Sequence, residues 1–149
     1  MSEIKIRKLN RKDISQIYTW FNDKDSIKFK IKTKYKIFFR NHKVWLLDFI
    51  KKRSGFIWII KYKNKDVGNI RLKKVYYKTY EIDIFIIREF RDLKIATTAL
   101  AEVENNLKKG SVIYSLVKKN NLRSYRFFKK NYLNLFKDSK EVWFLKKKI

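Results

Sequence analysis

The chain has 149 residues, 45% hydrophobic and 17% aromatic, with a formal net charge of +25. That is apolar material for about one domain with a core, and it excludes compositional disorder. There is no cysteine and His42 is the only histidine, which excludes disulfides, thiol nucleophiles, thiolate metal sites and a histidine-based zinc centre.

The N-terminus, MSEIKIRKLN, carries charges where a signal peptide needs an apolar stretch, so a cytoplasmic protein is expected. No apolar run reaches the length of about 18 residues that a membrane-spanning helix needs. Ile4 and Ile6 alternate with Lys5 and Arg7, which predicts a first strand. Asn10 can cap a helix that begins near Arg11, with Ile14, Ile17, Tyr18 and Phe21 on one face. Residues 24–40 are basic and aromatic without a clean period, a short helix or a loop. Asn41 is the expected cap of a second helix, with His42, Trp45, Leu46 and Phe49 on one stripe and Gly55 as its stop.

FIWIIKYK (56–63) reads as a strand, NKD (64–66) as a turn, and VGNIRLKKVYY (67–77) as the returning strand of a hairpin. TYEIDIFII (79–87) reads as another strand. Ala96, Ala99, Leu100, Val103 and Leu107 have helical spacing, closed by Lys108, Lys109 and Gly110. VIYSLV (112–117) predicts a short buried strand, residues 121–130 a helix, and EVWFLKK (141–147) a last strand. There is no proline and glycine occurs only at positions 55, 68 and 110, so no linker stands out and residues 1–149 read as one domain. The order β-α-α-β-β-β-α-β-α-β predicts an α/β (α+β) domain, a mixed sheet with helices on both faces.

Two segments resemble motifs of the GNAT superfamily of acyl-CoA-dependent N-acetyltransferases. That family follows a strand with Arg/Gln-x-x-Gly-x-Gly/Ala and a helix. Arg91-Asp92-Leu93-Lys94-Ile95-Ala96 matches at Arg91 and Ala96, with Lys94 at the usual glycine position. The family's Asn-x-x-Ala/Ser-x-x-aromatic-aromatic falls on Asn121, Ser124, Phe127 and Phe128. Its Gly-Phe at the helix end would fall on Tyr132-Leu133, a departure. TWFNDKDSIKF (19–29) and NHKVWLLDFI (41–50) are similar to signatures of one branch. That branch holds bacterial N-acetyltransferases of nucleotide-linked amino sugars, of the pseudaminic acid pathway type, and acetyltransferases of ribosomal-protein N-termini. The resemblance implies a mostly antiparallel GNAT-like sheet and acetyl-CoA as cosubstrate, with no metal.

It also implies site residues. A helix N-terminus favours an anion, and the family places the coenzyme A pyrophosphate there. Arg91 and Lys94 would add direct charge where glycines are missing, beside Ile95 and Ala96. Alternatively both are ordinary solvated cations. Acetyl transfer to an amine needs a base, and Glu81 and Asp83 share one strand face. Glu81 is nearer the family's base position and Asp83 is the runner-up; an exposed polar strand face is the plain alternative for either. A backbone N–H near Phe85 or Ile86 would polarise the thioester carbonyl. Asn121 can cap its helix and contact the pantetheine arm. Phe128 stands where the family often has a tyrosine acid. Tyr125, on nearly the same helical face, is the candidate substitute, with core packing or proton transfer from water as the alternative. Trp20, His42 and Trp45 are candidates to line the acceptor pocket. Lys28, Lys30, Lys32 and Lys34 are candidates to hold a nucleotide diphosphate, or else form a solvated face.

The best-fitting acceptor is a nucleotide-linked 4-amino-deoxy sugar for surface polysaccharide synthesis; a protein N-terminus is the alternative. The charge also allows a basic nucleic-acid-binding module, but the lysines are scattered, as in a lysine-biased composition. A positive field attracts phosphate-bearing small molecules in either case.

Overall fold

Strand alternation builds the sheet and also sorts its two cores. The computed structural model describes residues 3–31 and 36–149, so Lys32 and Lys34 lie outside the described residues. The strands are β1 (Ile4–Lys8), β2 (Gly55–Tyr62), β3 (Lys65–Tyr76), β4 (Thr79–Ile86), β5 (Val112–Lys118), β6 (Asn134–Asp138) and β7 (Val142–Lys148). They form one sheet in the order β1-β2-β3-β4-β5-β7-β6. Among the described residues only the β4–β5 pair is parallel.

Ile82 and Ile86 of β4 share a face with Ile70 and Leu72 of β3 and Ile60 of β2. That face packs against Ile95, Ala99, Leu100 and Val103 of α4 (Ile95–Asn105) and Phe128 of α5 (Leu122–Lys130). The other face is covered by α1 (Ile14–Phe21) and α3 (Phe39–Lys51), where Ile14, Ile17, Trp20 and Leu46 close over Ile59. Burying each such side chain stabilises by about 1.5–3 kcal/mol. Leu100→Ala would cost about 3 kcal/mol, because its neighbours on the sheet cannot collapse into the space. The expected mixed sheet with helices on both faces is therefore present.

Local chemistry explains the remaining boundaries. Asn10 Oδ1 accepts from Lys12 N at 2.9 Å, as expected of a cap, and Asp13 Oδ2 accepts from Asn10 N at 2.8 Å. A single 3-10 turn (Arg11–Asp13) precedes α1. Arg7 reaches across to Asp13 at 2.7 Å and Asp66 at 2.9 Å, tying β1 to the α1 entry and to β3.

Two elements differ from expectation, the start of α3 and the strand β6, and one open alternative, a short helix or a loop over 24–40, resolves as a helix over 24–29. α3 starts at Phe39 after Phe38, without a side-chain cap, so Asn41 sits inside the helix instead of capping it. Residues 24–29 are a helix, α2 (Lys24–Phe29), whose first N–H groups are held by the Asp23 carboxylate. β6 was not expected: all its residues are exposed, so it has no alternation to read. The β2–β3 hairpin turns on Lys63 and Asn64, both at positive φ (47° and 66°), the backbone of a type I′ turn. β3 therefore begins at Lys65. Gly55 opens β2 at φ 151°, where an added Cβ would lie 1.8 Å from the Leu72 carbonyl oxygen.

Candidate active site

The parallel pairing of β4 and β5 is short. It joins Thr79 to Val112, Tyr80 to Ile113 and Glu81 to Tyr114, and stops there. β4 continues to Ile86 and β5 to Lys118 without pairing to each other. The two strands thus open as a split beyond Glu81, and one lip is an unpaired backbone edge. Ile87 N donates to Val67 on β3. Antiparallel alternation then turns Ile86 toward the split, and its carbonyl there accepts from Arg91 Nε at 2.8 Å. The Ile86 N–H points the same way, into the split.

α4 follows β4 and α5 follows β5, so both helix N-termini sit at the open end of the split. At α4 the N-cap is Lys94, in the left-handed region (φ 59°), with no side-chain cap. Asp92 is left-handed too (φ 64°). The backbone thus takes the shape that glycine usually provides, using residues for which it is strained. Thr98 N bonds to Lys94 O. Ile95, Ala96 and Thr97 N–H groups have no partner within the helix, as at any helix N-terminus, and this kind of end favours an anion. The Lys94 side chain is exposed at this rim. Arg91 is placed differently. Its side chain is 16% exposed and bonds Ile86 O and, at 2.7 Å, the Asp25 carboxylate of α2, which Arg88 also reaches at 3.3 Å. Hydrogen bonding from Arg91 holds the Asp25 carboxyl below its ordinary range. Arg91 therefore fixes the turn against β4 and α2, and Lys94 is the freer cation.

On the α5 lip, Asn121 Oδ1 caps Ser124 N at 3.2 Å. Phe128 is 5% exposed in the core. The Tyr125 ring packs at a tilt of 34° against Trp143 of β7, with ring centroids 4.1 Å apart.

Glu81, Asp83 and Phe85 project toward the α1/α3 face, opposite to Ile82 and Ile86. Tyr114 sits beside Glu81 where the pairing ends; burial, then the Glu81 carboxylate, raise the Tyr114 phenol above its ordinary value. Asp83 pairs with Arg71 of β3 at 3.5 Å, and Arg71 lies 5.4 Å from the Trp45 ring centroid. Trp20 packs against Phe85 at 5.8 Å. Lys30 lies over the Phe21 ring and donates to the Phe21 carbonyl. Burial lowers its pKa to about 8, against the opposing pull of Asp83. His42 is boxed by Tyr18, Phe21 and Trp45 rings at 5.5, 5.0 and 5.5 Å. Burial, then Lys30 and Arg71, lower its pKa to about 4. Neither His42 ring nitrogen has a hydrogen-bond partner, nor has Arg71 Nε, among the described residues.

The α1/α3 face therefore brings together Trp20, His42, Trp45, Glu81 and Asp83, whereas Tyr125 lies across the sheet. Arg71, Tyr114 and Asp25 escaped sequence reading. Counting back along the hairpin from Asp83 would have found Arg71, its cross-strand partner.

A model of the acetyltransferase (GNAT) family matches residues 14–132. The chain belongs to this family. No curated protein matches it in sequence. The spermidine N-acetyltransferase of Vibrio cholerae, in complex with CoA and spermine, is similar at 16% identity and TM-score 0.82 over 98% of this chain and 95% of that one. The Campylobacter jejuni N-acetyltransferase PseH is similar at 16% identity and TM-score 0.73, over 97% of each chain. A domain from Methanocaldococcus jannaschii is similar at 21% identity and TM-score 0.81, over 100% of each chain. These likenesses show the fold. The protein is a GNAT acetyltransferase with acetyl-CoA as cosubstrate. Its own residues fit that molecule: an uncapped helix N-terminus for phosphate, and an unpaired strand edge for an extended arm. No helix among the described residues is long and apolar enough to cross a membrane.

Proposed function

We propose that this acetyltransferase acetylates the amine of a nucleotide-linked 4-amino-deoxy sugar in the cytoplasm. Acetyl-CoA supplies the acetyl group as a thioester. Ile95, Ala96 and Thr97 N–H groups and the Lys94 ammonium would hold its pyrophosphate. The β4 edge and, across the split, Asn121 and Ser124 would guide the pantetheine arm. The Ile86 N–H would donate a hydrogen bond to the developing oxyanion. Glu81 takes the amine proton, directly or through one water, and Tyr114 orients its carboxylate. Asp83, paired with Arg71, shapes the acceptor side. The departing thiolate takes its proton from water, and Tyr125 packs against Trp143.

One observation carries the choice of acceptor. Beside Asp83, Arg71 lies over the Trp45 ring, and Lys30 lies over Phe21, which packs against Trp45; Trp20 and Phe85 extend this aromatic wall. Flat rings suit a sugar or a nucleobase, and the cations repel a polyamine while favouring an anionic acceptor. The test is thiol release from acetyl-CoA with three acceptor types: nucleotide 4-amino sugars, spermidine and N-terminal peptides. Nucleotide sugars should be preferred by at least about tenfold in kcat/KM. A preference for spermidine or a peptide would refute the reading.

A further inference from the structure

Beyond Tyr114, β5 carries Lys118 on the same face as Tyr114. The two residues lie about 13 Å apart along the strand. At that end a cavity of about 390 Å³ opens. It is lined by Ile31 just after α2, by Lys118, Lys119 and Asn120 at the end of β5, and by Lys140 and Glu141 from the β6–β7 turn. Its cations differ in how they are committed. Lys119 is bound to Asp138 and lies over the Trp143 ring. Lys118 gives one hydrogen bond, to the Lys28 carbonyl at 3.2 Å. Lys140 is exposed and has no ion-pair partner among the described residues. Glu141 is the single acid in the lining. A sugar amine at Glu81 would put a diphosphate linked to that sugar between these two positions, where the long Lys118 side chain can reach back to it.

We propose that this cavity seats the diphosphate of the acceptor, held by Lys118 and Lys140 and by the Asn120 amide, while the sugar amine reaches Glu81. The proposal rests on the reading of the acceptor as a nucleotide-linked sugar. This seat is separate from the α4 N-terminus, so one chain presents two diphosphate sites, one for each substrate.

The probe is UDP, titrated calorimetrically into protein saturated with CoA, so that the α4 site is filled. UDP should bind. Lys140→Ser and Lys118→Gln should each weaken it about tenfold, the loss of one charge-assisted contact. Lys12→Ser, which removes an exposed lysine on a different element, should leave it unchanged. In turnover, the same two variants should raise KM for the nucleotide acceptor, with kcat and the KM for acetyl-CoA unchanged. Absence of UDP binding to CoA-saturated protein would overturn the proposal. So would equal weakening in Lys12→Ser, which would mean diffuse charge, or a loss of acetyl-CoA affinity instead. Failure of the acceptor reading looks different: the wild-type protein would bind UDP yet turn over no nucleotide amino sugar.

Discussion

Lys94→Gly separates two roles of the residue that opens α4. Lys94 holds φ 59° at the N-cap of α4. A left-handed backbone costs a residue with a Cβ about 1–2 kcal/mol. Glycine removes that cost but loses about 0.5–1 kcal/mol more entropy on folding. The net expectation is a gain of about 0.5–1 kcal/mol, or about 2 °C in Tm for a chain of this size. The ammonium is lost in the same substitution. If it contacts the pyrophosphate, acetyl-CoA affinity should fall about fivefold, the equivalent of about 1 kcal/mol. That fall should shrink at high salt, since the lysine is exposed. Differential scanning fluorimetry without ligand reads the first effect. Calorimetry with acetyl-CoA at low and high salt reads the second. A lower Tm would refute the strain argument. Tighter acetyl-CoA binding would refute the charge argument, and would mean that the lysine side chain only obstructs the phosphate.

Glu81→Gln should lower kcat by about 10²–10⁴-fold with little change in acetyl-CoA affinity; a larger loss in Asp83→Asn would transfer the base role to Asp83. His42 stays neutral when folded, its pKa lowered by burial from 6.5 to about 4. Between those values the unfolded chain binds a proton that the folded chain does not, so stability falls as pH drops through that window. His42→Phe removes the loss, and its Tm advantage over wild type should grow from about pH 8 to about pH 5; a constant offset would contradict this. Tyr125→Phe keeps the packing against Trp143 and should leave kcat within about twofold, whereas a loss of about 10²-fold would make Tyr125 the general acid.

Much of the architecture was legible because burial imposes a period. β4 alternates Ile82, Ile84 and Ile86 against Glu81, Asp83 and Phe85, and α4 repeats Ile95, Ala99, Leu100 and Val103; both elements pack against the core. β6 has no buried face, and α2 has no buried residue, so neither left a periodic trace. Asn41 looked like a cap by residue type, but α3 begins two residues earlier, where Phe38 enters from extended backbone. The family motif pointed to the α4 turn, and the left-handed Lys94 explains how the turn survives without glycine. The coupling of Arg91 to Asp25 spans 66 residues, and no local pattern encodes such a pair. The same holds for Tyr114 beside Glu81, which depends on which strands adjoin in the sheet. The widening beyond Glu81 is also a property of pairing, invisible along a single strand.

Acetyl-CoA is expected in the split between β4 and β5, with its diphosphate on the start of α4. Backbone amide shifts on titration with acetyl-CoA locate it directly. The largest shifts should fall on Ile86, Ile95, Ala96 and Thr97, saturating together at one equivalent. Saturation with shifts confined to other elements, or no saturation, would contradict the claim.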